Sequence, residues 1–299
     1  MPRLCAYAIR VQQRTRISLI GCGRVGTAIA LGLKRVGYSI VNASDINPAA
    51  ERRARRLLIG PSERKAVGGK PMADVFLIAT PDSQIERVWQ GLALTLVPGQ
   101  AVVHLSGALT SRVFRHAARR RILALALHPV MTFTDRKMLD SFAGTYFTLE
   151  GSPKAIALGR RFVGALGGRA VVLSARDKPL FHAACVMVSN LLDALVDAGL
   201  ETCGRAGMKP RKAFRALEPL ISQTLDNIRE SGTAAALTGP IERSDWTTVQ
   251  RHVAALRQSS PELVPLYVEL SRRALALARR KGSLSRSTFR ALQSAICSL

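Results

Sequence analysis

The sequence contains few residues of several types, and each shortage argues against a class of protein. Aromatic residues make up only 5% of the 299 residues, so the stacking side chains that single-strand nucleic-acid readers interleave with basic clusters are missing. No apolar run approaches the roughly 20 residues that a helix needs to span a bilayer, so no membrane-spanning segment is predicted. The five cysteines are scattered and form no CxxC pair, which argues against a zinc site or a redox dithiol and is typical of reduced cytoplasmic thiols.

Acidic residues are also scarce, with 20 against 44 basic residues, and the formal net charge is +24. Three interpretations stay open: nucleic-acid binding, anionic ligands, or a basic background without a specific partner. Most of the excess lies in residues 1–177, in short clusters such as residues 52–56 and 119–121. No aromatic residue falls inside these clusters, and several have helical spacing among Ala and Leu. A solvated helix face is therefore favoured, and nucleic acid is not expected as a partner.

The first half of the chain alternates apolar runs with helical stretches. We interpret seven apolar runs as strands, at residues 16–21, 38–44, 73–81, 100–107, 122–129, 145–151 and 169–174. Two of them, 73–81 and 100–107, are continuous and stop at Pro or Gly, as buried parallel strands do. Strand, helix and strand at this rhythm predict an α/β fold with a doubly wound parallel sheet of the Rossmann type.

After about Asp177 the pattern becomes helical. Residues 178–207 carry an apolar stripe at helical spacing for about thirty residues, and more helical segments follow to the end of the chain. We predict a basic, disordered leader at residues 1–15, a dinucleotide-binding domain at 16–177 and an all-helical substrate and dimerisation domain at 178–299. An upstream start site is the alternative to a disordered leader. The leader lacks the apolar core of a secretory signal, so we expect a cytoplasmic protein.

A glycine motif follows the first strand and opens the first helix. Residues 21–26 read Gly21, Cys22, Gly23, Arg24, Val25 and Gly26, and this context is the one in which G-x-G-x-x-G binds a dinucleotide. Gly21 would allow a tight turn, Gly23 the approach of a pyrophosphate, and Gly26 close packing of helix on strand. The helix N-terminus would offer unpaired N–H groups to the phosphates. The alternative is a glycine-rich turn with no ligand.

Asp45 ends the second predicted strand, where a carboxylate can bind the adenosine ribose hydroxyls. A 2′-phosphate there would meet a negative charge, so NAD is slightly preferred over NADP. Arg52 and Arg53 lie one or two helical turns further on and could reach such a phosphate. Asp45 could also be a helix N-cap ahead of Pro48.

Polar residues follow the later strands. Thr80 and Pro81 end the third run, Ser106 the fourth and His128 the fifth. Because the ligand crevice of a parallel sheet lies outside the carboxyl ends of its strands, these residues should share a rim with the glycine loop. Ser106 could hold the nicotinamide amide or the substrate. His128 could take a proton from a substrate hydroxyl while hydride leaves the same carbon, or it could be a structural loop histidine.

Five strings resemble one bacterial family in their order along the chain: HLSGAL (104–109), LHPVMTF (127–133), GTYFTLEG (144–151), FHAACVMVSNLLDAL (181–195) and ALTGPIERSDWTTVQRHVAAL (236–256). This family combines a Rossmann-like domain with a helical domain of unknown function numbered 2520. It is related to pyrroline-carboxylate reductase, prephenate dehydrogenase and deazaflavin-dependent NADP reductases. The resemblance covers nearly the whole chain from residue 16. It implies a nicotinamide dinucleotide cofactor and a helical domain that packs into a homodimer, and it does not supply the substrate.

Two related groups sharpen the comparison. Prephenate dehydrogenases resemble this chain at residues 45–48, at Ser106 and at His128, and in them the histidine accepts the substrate hydroxyl proton. β-Hydroxyacid dehydrogenases carry a lysine four residues before the asparagine that matches Asn190, whereas this chain has Val186. His182, about two helical turns before Asn190, could replace that lysine or could be a satisfied helix histidine.

The TGP segment also departs from the family pattern. The family usually has a glycine between the arginine and the aspartate of this segment, where the chain has Ser244. Arg243 could clamp a substrate carboxylate bidentately, or it could form an ion pair with Asp245.

These observations together predict a nicotinamide-dependent oxidoreductase that transfers a hydride between NAD(P) and a small, anionic substrate held between the two domains. The candidate catalytic residues are His128, Ser106 and His182, and the candidate substrate contacts are Asn190 and Arg243. The glycine motif, Asp45, Thr80 and Pro81 would bind the cofactor, and no metal is expected. The alternative is an NAD(P)-binding sensor without turnover, which the missing lysine favours.

Overall fold

The computed structural model describes residues 15–60, 73–133 and 141–297. The chain forms two compact units that divide between Ser189 and Asn190. Apart from Thr15, the predicted leader lies outside the described residues. The boundary expected after residue 177 assigns the helix Lys178–Met187 to the second domain, whereas its contacts in the structure group it with the first unit. The roles given to the two domains stay predictions.

The first unit is an α/β structure built on one seven-stranded sheet in the order β2-β1-β3-β4-β5-β6-β7. Its elements in chain order are β1 (Arg16–Ile20), α1 (Arg24–Arg35), β2 (Ser39–Ser44), α2 (Pro48–Leu58), β3 (Val75–Ile78), α3 (Asp82–Ala93), β4 (Ala101–His104), β5 (Leu123–Pro129), β6 (Tyr146–Gly151), α4 (Pro153–Ala165), β7 (Arg169–Val172) and α5 (Lys178–Met187). This architecture confirms the predicted fold class.

The direction of two strands differs from the sequence prediction. Strands β1 to β5 are parallel, but β6 pairs antiparallel with β5, and β7 is parallel to β6. The N–H of Val130 donates to the carbonyl of Tyr146 at 2.8 Å, just beyond the carboxyl end of β5. Strand β6 therefore begins at the edge of the sheet where β5 ends, so β6 runs in the opposite direction to β5.

Helices cover both faces of the sheet, which is why its central strands are apolar on both sides. On one face, Ile29 of α1 and Phe162 of α4 belong to the larger core with Leu19 of β1. On the other face, Ile85 and Trp89 of α3 form a second core cluster. The carboxyl ends of β3, β4 and β5 lie together at one edge of the sheet, where residues that follow them line a cavity.

The second unit is helical in its described residues, which form α6 (Asn190–Arg205), α7 (Pro210–Ala235), α8 (Trp246–Ser259), α9 (Val264–Lys281) and α10 (Arg286–Cys297). A two-residue turn at Val188 and Ser189 separates α5 from α6, where the sequence predicted one helix of about thirty residues. The Ser189 hydroxyl donates to the carbonyl of Cys185 at 2.7 Å beside this turn. The core that this unit buries is small and centres on Val268, Leu275 and Ile296.

Two glycines bring the start of α1 unusually close to the ends of β1 and β3. Gly21 has φ of 94°, and a Cβ there would lie 2.6 Å from the carbonyl carbon of Ala79 and 2.7 Å from the nitrogen of Thr80. A Cβ on Gly26 would meet the carbonyl oxygen of Gly21 and would lie 2.6 Å from the Cβ of Ala79. Gly23 differs, because nothing lies within 4 Å of the position that its Cβ would occupy.

We expect Gly26→Ala to lower the free energy of unfolding by about 3 kcal/mol, because backbone and a neighbouring methyl must move to admit the new Cβ. Gly23→Ala is the matched control and should cost less than about 1 kcal/mol, since its Cβ meets open space. Urea unfolding monitored by circular dichroism measures both values. Equal stability of the two variants would contradict this packing argument.

Candidate functional site

The glycine loop lies between β1 and α1 and has the local geometry of an anion site. Gly23 is the N-cap of α1, and because it is a glycine no side chain of the cap residue occupies the N–H groups of the first turn. The first turn also contains no acidic residue. The Thr27 hydroxyl donates to the carbonyl of Cys22 at 3.1 Å, and this hydrogen bond ties the glycine loop to the first turn of α1. Arg24 begins α1 at the surface, and Val25 faces the neighbouring cavity. The positive end of the helix is therefore available to a phosphate.

Asp45 connects the end of β2 to the glycine loop. Its Oδ2 accepts from the N–H of Cys22 at 2.6 Å and its Oδ1 from the N–H of Asn47 at 2.8 Å. The N–H of Asp45 donates to Glu51 Oε2 at 3.2 Å, so a second carboxylate stands at this position. Asn47, and not Asp45, caps α2 by accepting from the N–H groups of Ala49 and Ala50. Burial, followed by the charges of Asp45 and Glu51, raises the pKa of the Cys22 thiol to about 11.

A cavity of about 260 Å³ opens beside the glycine loop at the carboxyl ends of β3, β4 and β5. It brings together Val25, Thr80, Ser106, His128 and His182 from the predicted site. The other residues that line it are Ala79, Asp82, Leu105, Gly107, Pro129, Met131 and Phe133. Pro81 is exposed at the N-terminus of α3.

Two histidines meet at this cavity across Gly107. The rings of His128 on β5 and His182 on α5 are perpendicular, with centroids 5.4 Å apart. A Cβ on Gly107 would overlap His182 Nδ1 and would lie 2.9 Å from His128 Nε2. The Nδ1 atoms of both histidines are buried and have no hydrogen-bond partner among the described residues, and the same holds for Thr80 Oγ1. Burial, together with the positive charge of Lys178 and the nearby His182, lowers the pKa of His128 to about 4.

Ser106 uses its hydroxyl within the protein. The hydroxyl donates to Asp82 Oδ2 at 2.7 Å and accepts from the N–H groups of Ala108 at 3.2 Å and Leu109 at 2.9 Å. This pattern closes a turn at the end of β4. A role for Ser106 in orienting reactants stays a prediction.

Lys178 was not singled out by the sequence and is the charged residue that lies deepest beside this cavity. It is only 1% exposed, and its Nζ donates to the carbonyls of Ser106 at 2.8 Å and Gly107 at 2.9 Å. Burial lowers its pKa to about 8, and the charges of Glu150 and Asp82 oppose that shift. A lysine followed by proline at a helix start looks like a solvated N-terminus, so sequence patterning gave no signal for it.

The two predicted substrate contacts lie in the helical unit. Asn190 is the exposed first residue of α6, beyond the turn that ends α5, so a continuous helical spacing from His182 does not apply. Arg243 is exposed just before α8. Asp245 caps α8 by accepting from the hydroxyl of Thr248 at 2.7 Å and from its N–H at 3.1 Å. Those hydrogen bonds lower the pKa of Asp245, with a smaller contribution from Arg243.

Ser244 shows why the family pattern favours glycine between these two residues. Its φ is 60°, in the left-handed region that glycine adopts without steric cost and that other residues rarely adopt. Ser244 therefore adopts a backbone conformation that would suit the glycine of the family pattern.

The sheet order and the glycine loop define a Rossmann-like domain, and family comparisons agree. The sequence matches the model for a Rossmann-like domain at residues 6–129. It matches the model for the domain of unknown function DUF2520 at residues 145–274. The chain therefore matches these two domain models one after the other, in the order that the sequence resemblance indicated. A search of the curated proteins finds no match.

Solved structures with this fold include proteins named for nicotinamide chemistry. BF3122 from Bacteroides fragilis, described as an NADP oxidoreductase, is 22% identical with a TM-score of 0.72 over 88% of this chain and 98% of that protein. A reductive aminase from Aspergillus terreus, in complex with NADPH and ethyl-5-oxohexanoate, is 17% identical with a TM-score of 0.59 over 92% and 98%. An imine reductase variant from Myxococcus stipitatus, in complex with NAD+, is 16% identical with a TM-score of 0.57 over 93% and 98%. At these identities the similarity shows the fold.

The free energy of unfolding should fall as the pH drops from 6.5 to about 4. Burial lowers the pKa values of His128 and His104 to about 4, so in this window the unfolded chain binds protons that the folded chain does not. Each histidine contributes a slope of up to about 1.4 kcal/mol per pH unit. His128→Asn should reduce the slope, because it removes one of the two buried histidines. Urea unfolding at several pH values measures this, and an unchanged slope in His128→Asn would refute the assignment.

Proposed function

We propose that the protein is an NAD(P)-dependent oxidoreductase that transfers a hydride between the cofactor and a small substrate. The observation that carries this proposal concerns three residues that line the cavity beside the glycine loop. Each has a buried polar atom with no hydrogen-bond partner among the described residues: Thr80 Oγ1, His128 Nδ1 and His182 Nδ1. Buried polar groups are normally hydrogen-bonded, so unpaired ones on residues that line a cavity support a ligand-binding role for that cavity. The nicotinamide, when bound, supplies hydride exchange with a substrate carbon.

The residues of the glycine loop fit a dinucleotide. The open space over Gly23 admits a pyrophosphate to the backbone, and the uncapped N-terminus of α1 supplies N–H donors. Thr80 and Pro81 follow β3 at the same edge and would contact the cofactor between the loop and the cavity. Asp45 would accept hydrogen bonds from the adenosine ribose with the lone pairs that its backbone contacts leave over.

NAD is favoured over NADP as the cofactor. Two carboxylates, Asp45 and Glu51, stand together at the end of β2, where a 2′-phosphate would meet both negative charges. Arg55 lies 3.7 Å from Glu51 Oε1 and also donates to the Asn42 side chain and to the carbonyl of Ala43, both at 3.2 Å, so it offsets part of the charge of Glu51. The exposed Arg52 and Arg53 are the residues that could oppose this preference.

His128 is the proposed acid/base. At neutral pH its imidazole is uncharged, so it can accept the proton of a substrate hydroxyl during oxidation and return it during reduction. His182 faces the same cavity and would bind the substrate oxygen or share the proton. The volume of about 260 Å³ supports a small substrate. Asn190 and Arg243 remain proposed substrate contacts, and an anionic substrate is proposed because Arg243 can pair with a carboxylate.

One observation favours the alternative, an NAD(P)-binding sensor without turnover. The Ser106 hydroxyl is committed to Asp82 and to two backbone N–H groups. Neither cavity histidine has a hydrogen bond to a carboxylate among the described residues, as a strong general base commonly has.

We expect the protein to bind NAD more tightly than NADP, and Gly23→Ala to weaken NAD binding by at least about tenfold, or about 1.4 kcal/mol. The added methyl group would occupy the space that the pyrophosphate needs, while stability stays close to wild type. Isothermal titration calorimetry with NAD, NADP and their reduced forms measures this. Tighter binding of NADP would overturn the role given to Asp45, and binding of none of the four would overturn the whole proposal.

His128→Asn separates the enzyme from the sensor. In an enzyme this variant keeps NAD affinity and loses turnover with a panel of 2- and 3-hydroxy acids. In a sensor the wild type itself turns over no member of the panel.

We also propose that the helical unit forms a homodimer. No residue of α6 is buried in the single chain, and of the 26 residues of α7 only Ala213 is buried. An apolar groove of about 510 Å³ lies among α6, α8 and α9. Isolated monomers rarely expose so much apolar surface, so a second copy of the chain is the proposed occupant. The exposed large apolar side chains of this unit are Leu191, Leu195, Phe214, Leu220, Leu225, Leu266 and Leu270.

The apolar character of this region extends into a neighbouring segment. The helical stretch Lys178–Arg205 is long and apolar enough to cross a membrane, by length and composition only. Its first residue is buried in the α/β unit, and exposed Asp193, Asp197 and Glu201 recur every four residues along it. These features favour a protein partner over lipid. The free thiols of Cys22, Cys185 and Cys203 support the proposed cytoplasmic location.

Sedimentation velocity should give twice the chain mass for the wild type. Leu220→Glu combined with Leu225→Glu should shift the protein toward monomer, because two charges would be buried at the interface. Gln223→Glu, on the same helix at an already polar position, is the control. A monomeric wild type, or a dimer that survives the double substitution, would overturn this interface.

A further inference from the structure

Lys178 presents a buried charge that the proposed chemistry does not use directly. It begins α5, is 1% exposed, and touches the end of β4 through its Nζ. Taking an ammonium out of water is costly unless hydrogen bonds and opposite charges compensate. Here the compensation comes from two carbonyls, those of Ser106 and Gly107, at 2.8 and 2.9 Å.

Those two carbonyls belong to the turn that shapes the cavity. Ser106 links this turn to Asp82, and the absence of a side chain at Gly107 lets His182 and His128 come up against the backbone. A rotation of either peptide would break a hydrogen bond to Lys178 and move the backbone into an imidazole. The ammonium therefore fixes the surface against which both histidines rest.

Ionisable groups from several elements interact electrostatically with Lys178. Glu150 of β6 and Asp82 of α3 supply negative charge, and the Cys185 thiol lies on the same helix. Glu150 is itself held by the N–H and the hydroxyl of Ser111. On the other side, the charge of Lys178 acts on His104 of β4 and on His128 of β5, and His182 of α5 adds to its effect on His128.

We propose that Lys178 is a positioning residue of the cavity, which holds the Ser106–Gly107 turn against the two histidines and places a positive charge beside His128. Its relevance to catalysis rests on the proposed oxidoreductase function. Its effect on the turn and on the histidines does not, and can be measured on the protein without any dinucleotide.

The consequence for His128 has a definite sign. A positive neighbour disfavours the imidazolium, so Lys178 adds to burial in keeping His128 uncharged at neutral pH. Removing the ammonium would also leave Glu150 and Asp82 without their counter-charge, and both would then favour the imidazolium. Burial would remain, so the pKa of His128 should rise from about 4 without reaching 6.5.

The experiment is an NMR titration of the histidine Cε1–H signals in the cofactor-free protein, with His128 assigned from the His128→Asn variant. Lys178→Met should raise the pKa of His128 by about one unit or more. Lys178→Arg, which keeps the charge, should leave that pKa low. Lys154→Met, at an exposed lysine of the same unit, is the control and should change nothing. His252, in the helical unit, serves as an internal reference in every variant.

An unchanged His128 pKa in a folded Lys178→Met protein would overturn the proposal. If that variant fails to fold, the proposal is tested on the wild-type protein by an NMR titration with 15N-labelled lysine. Lys178 Nζ should titrate near pH 8, and the His128 signals should show a second inflection at the same pH. Titration at the ordinary lysine value of about 10.4, with no inflection at His128, would overturn the proposal equally. Failure of NAD, NADP and both reduced forms to bind would refute the proposed function and leave these readouts intact.

Discussion

The close approach of the glycine loop to the end of β3 is the contact on which the rest of the α/β unit depends. Gly21 and Gly26 both lie against Ala79, at distances that a Cβ on either glycine would not allow. Ala79 and Thr80 also line the cavity. One short backbone segment therefore sets the distance from the loop that can receive phosphates to the cavity that can receive a substrate. In a fold of this type, chemistry between two ligands needs that distance to be fixed.

Ionisable residues are distributed in two opposite ways in this chain. The arginines at positions 52, 53, 55 and 56 lie on the exposed face of α2, whose buried face is formed by Ala54 and Leu58. This is the solvated helix face that the spacing predicted, and it contributes strongly to the net charge of +24. Near the cavity the buried charges of the described residues are Glu150 and Lys178, while Asp82 on its lining is exposed. The net charge thus reflects the surface of the protein and does not identify the residues of the site.

The features that could be predicted from the sequence are those encoded by neighbouring residues. The glycine loop, the alternation of strands and helices, and the placement of His128 at a strand end all depend on short stretches of chain. The reversal of β6 could not be read this way, because an apolar strand has the same pattern in either direction. The break at Val188 and Ser189 was hidden because the apolar stripe continues across it.

Residues whose role depends on partners far along the chain could not be predicted from the sequence for a different reason. Lys178 meets the carbonyls of residues 106 and 107, and Glu150 meets Ser111, in contacts between segments far apart along the chain. The resemblance to β-hydroxyacid dehydrogenases predicts a lysine one helical turn before Asn190, where this chain has Val186. The lysine that does approach the cavity comes from the first turn of α5, and only the folded chain brings it there.

The contrast between satisfied and unsatisfied groups at the cavity is informative about its design. The Ser106 hydroxyl donates to Asp82, and Lys178 donates to the carbonyls of Ser106 and Gly107, so this shell of hydrogen bonds forms without a ligand. Inside that shell, His128 and His182 present Nδ1 atoms that nothing in the described chain satisfies. A rigid outer layer holding unpaired inner groups costs folding energy, and that energy is recovered when a ligand pairs with them. Such preorganisation suits a site that must hold a proton acceptor in place while the bonds of a substrate change.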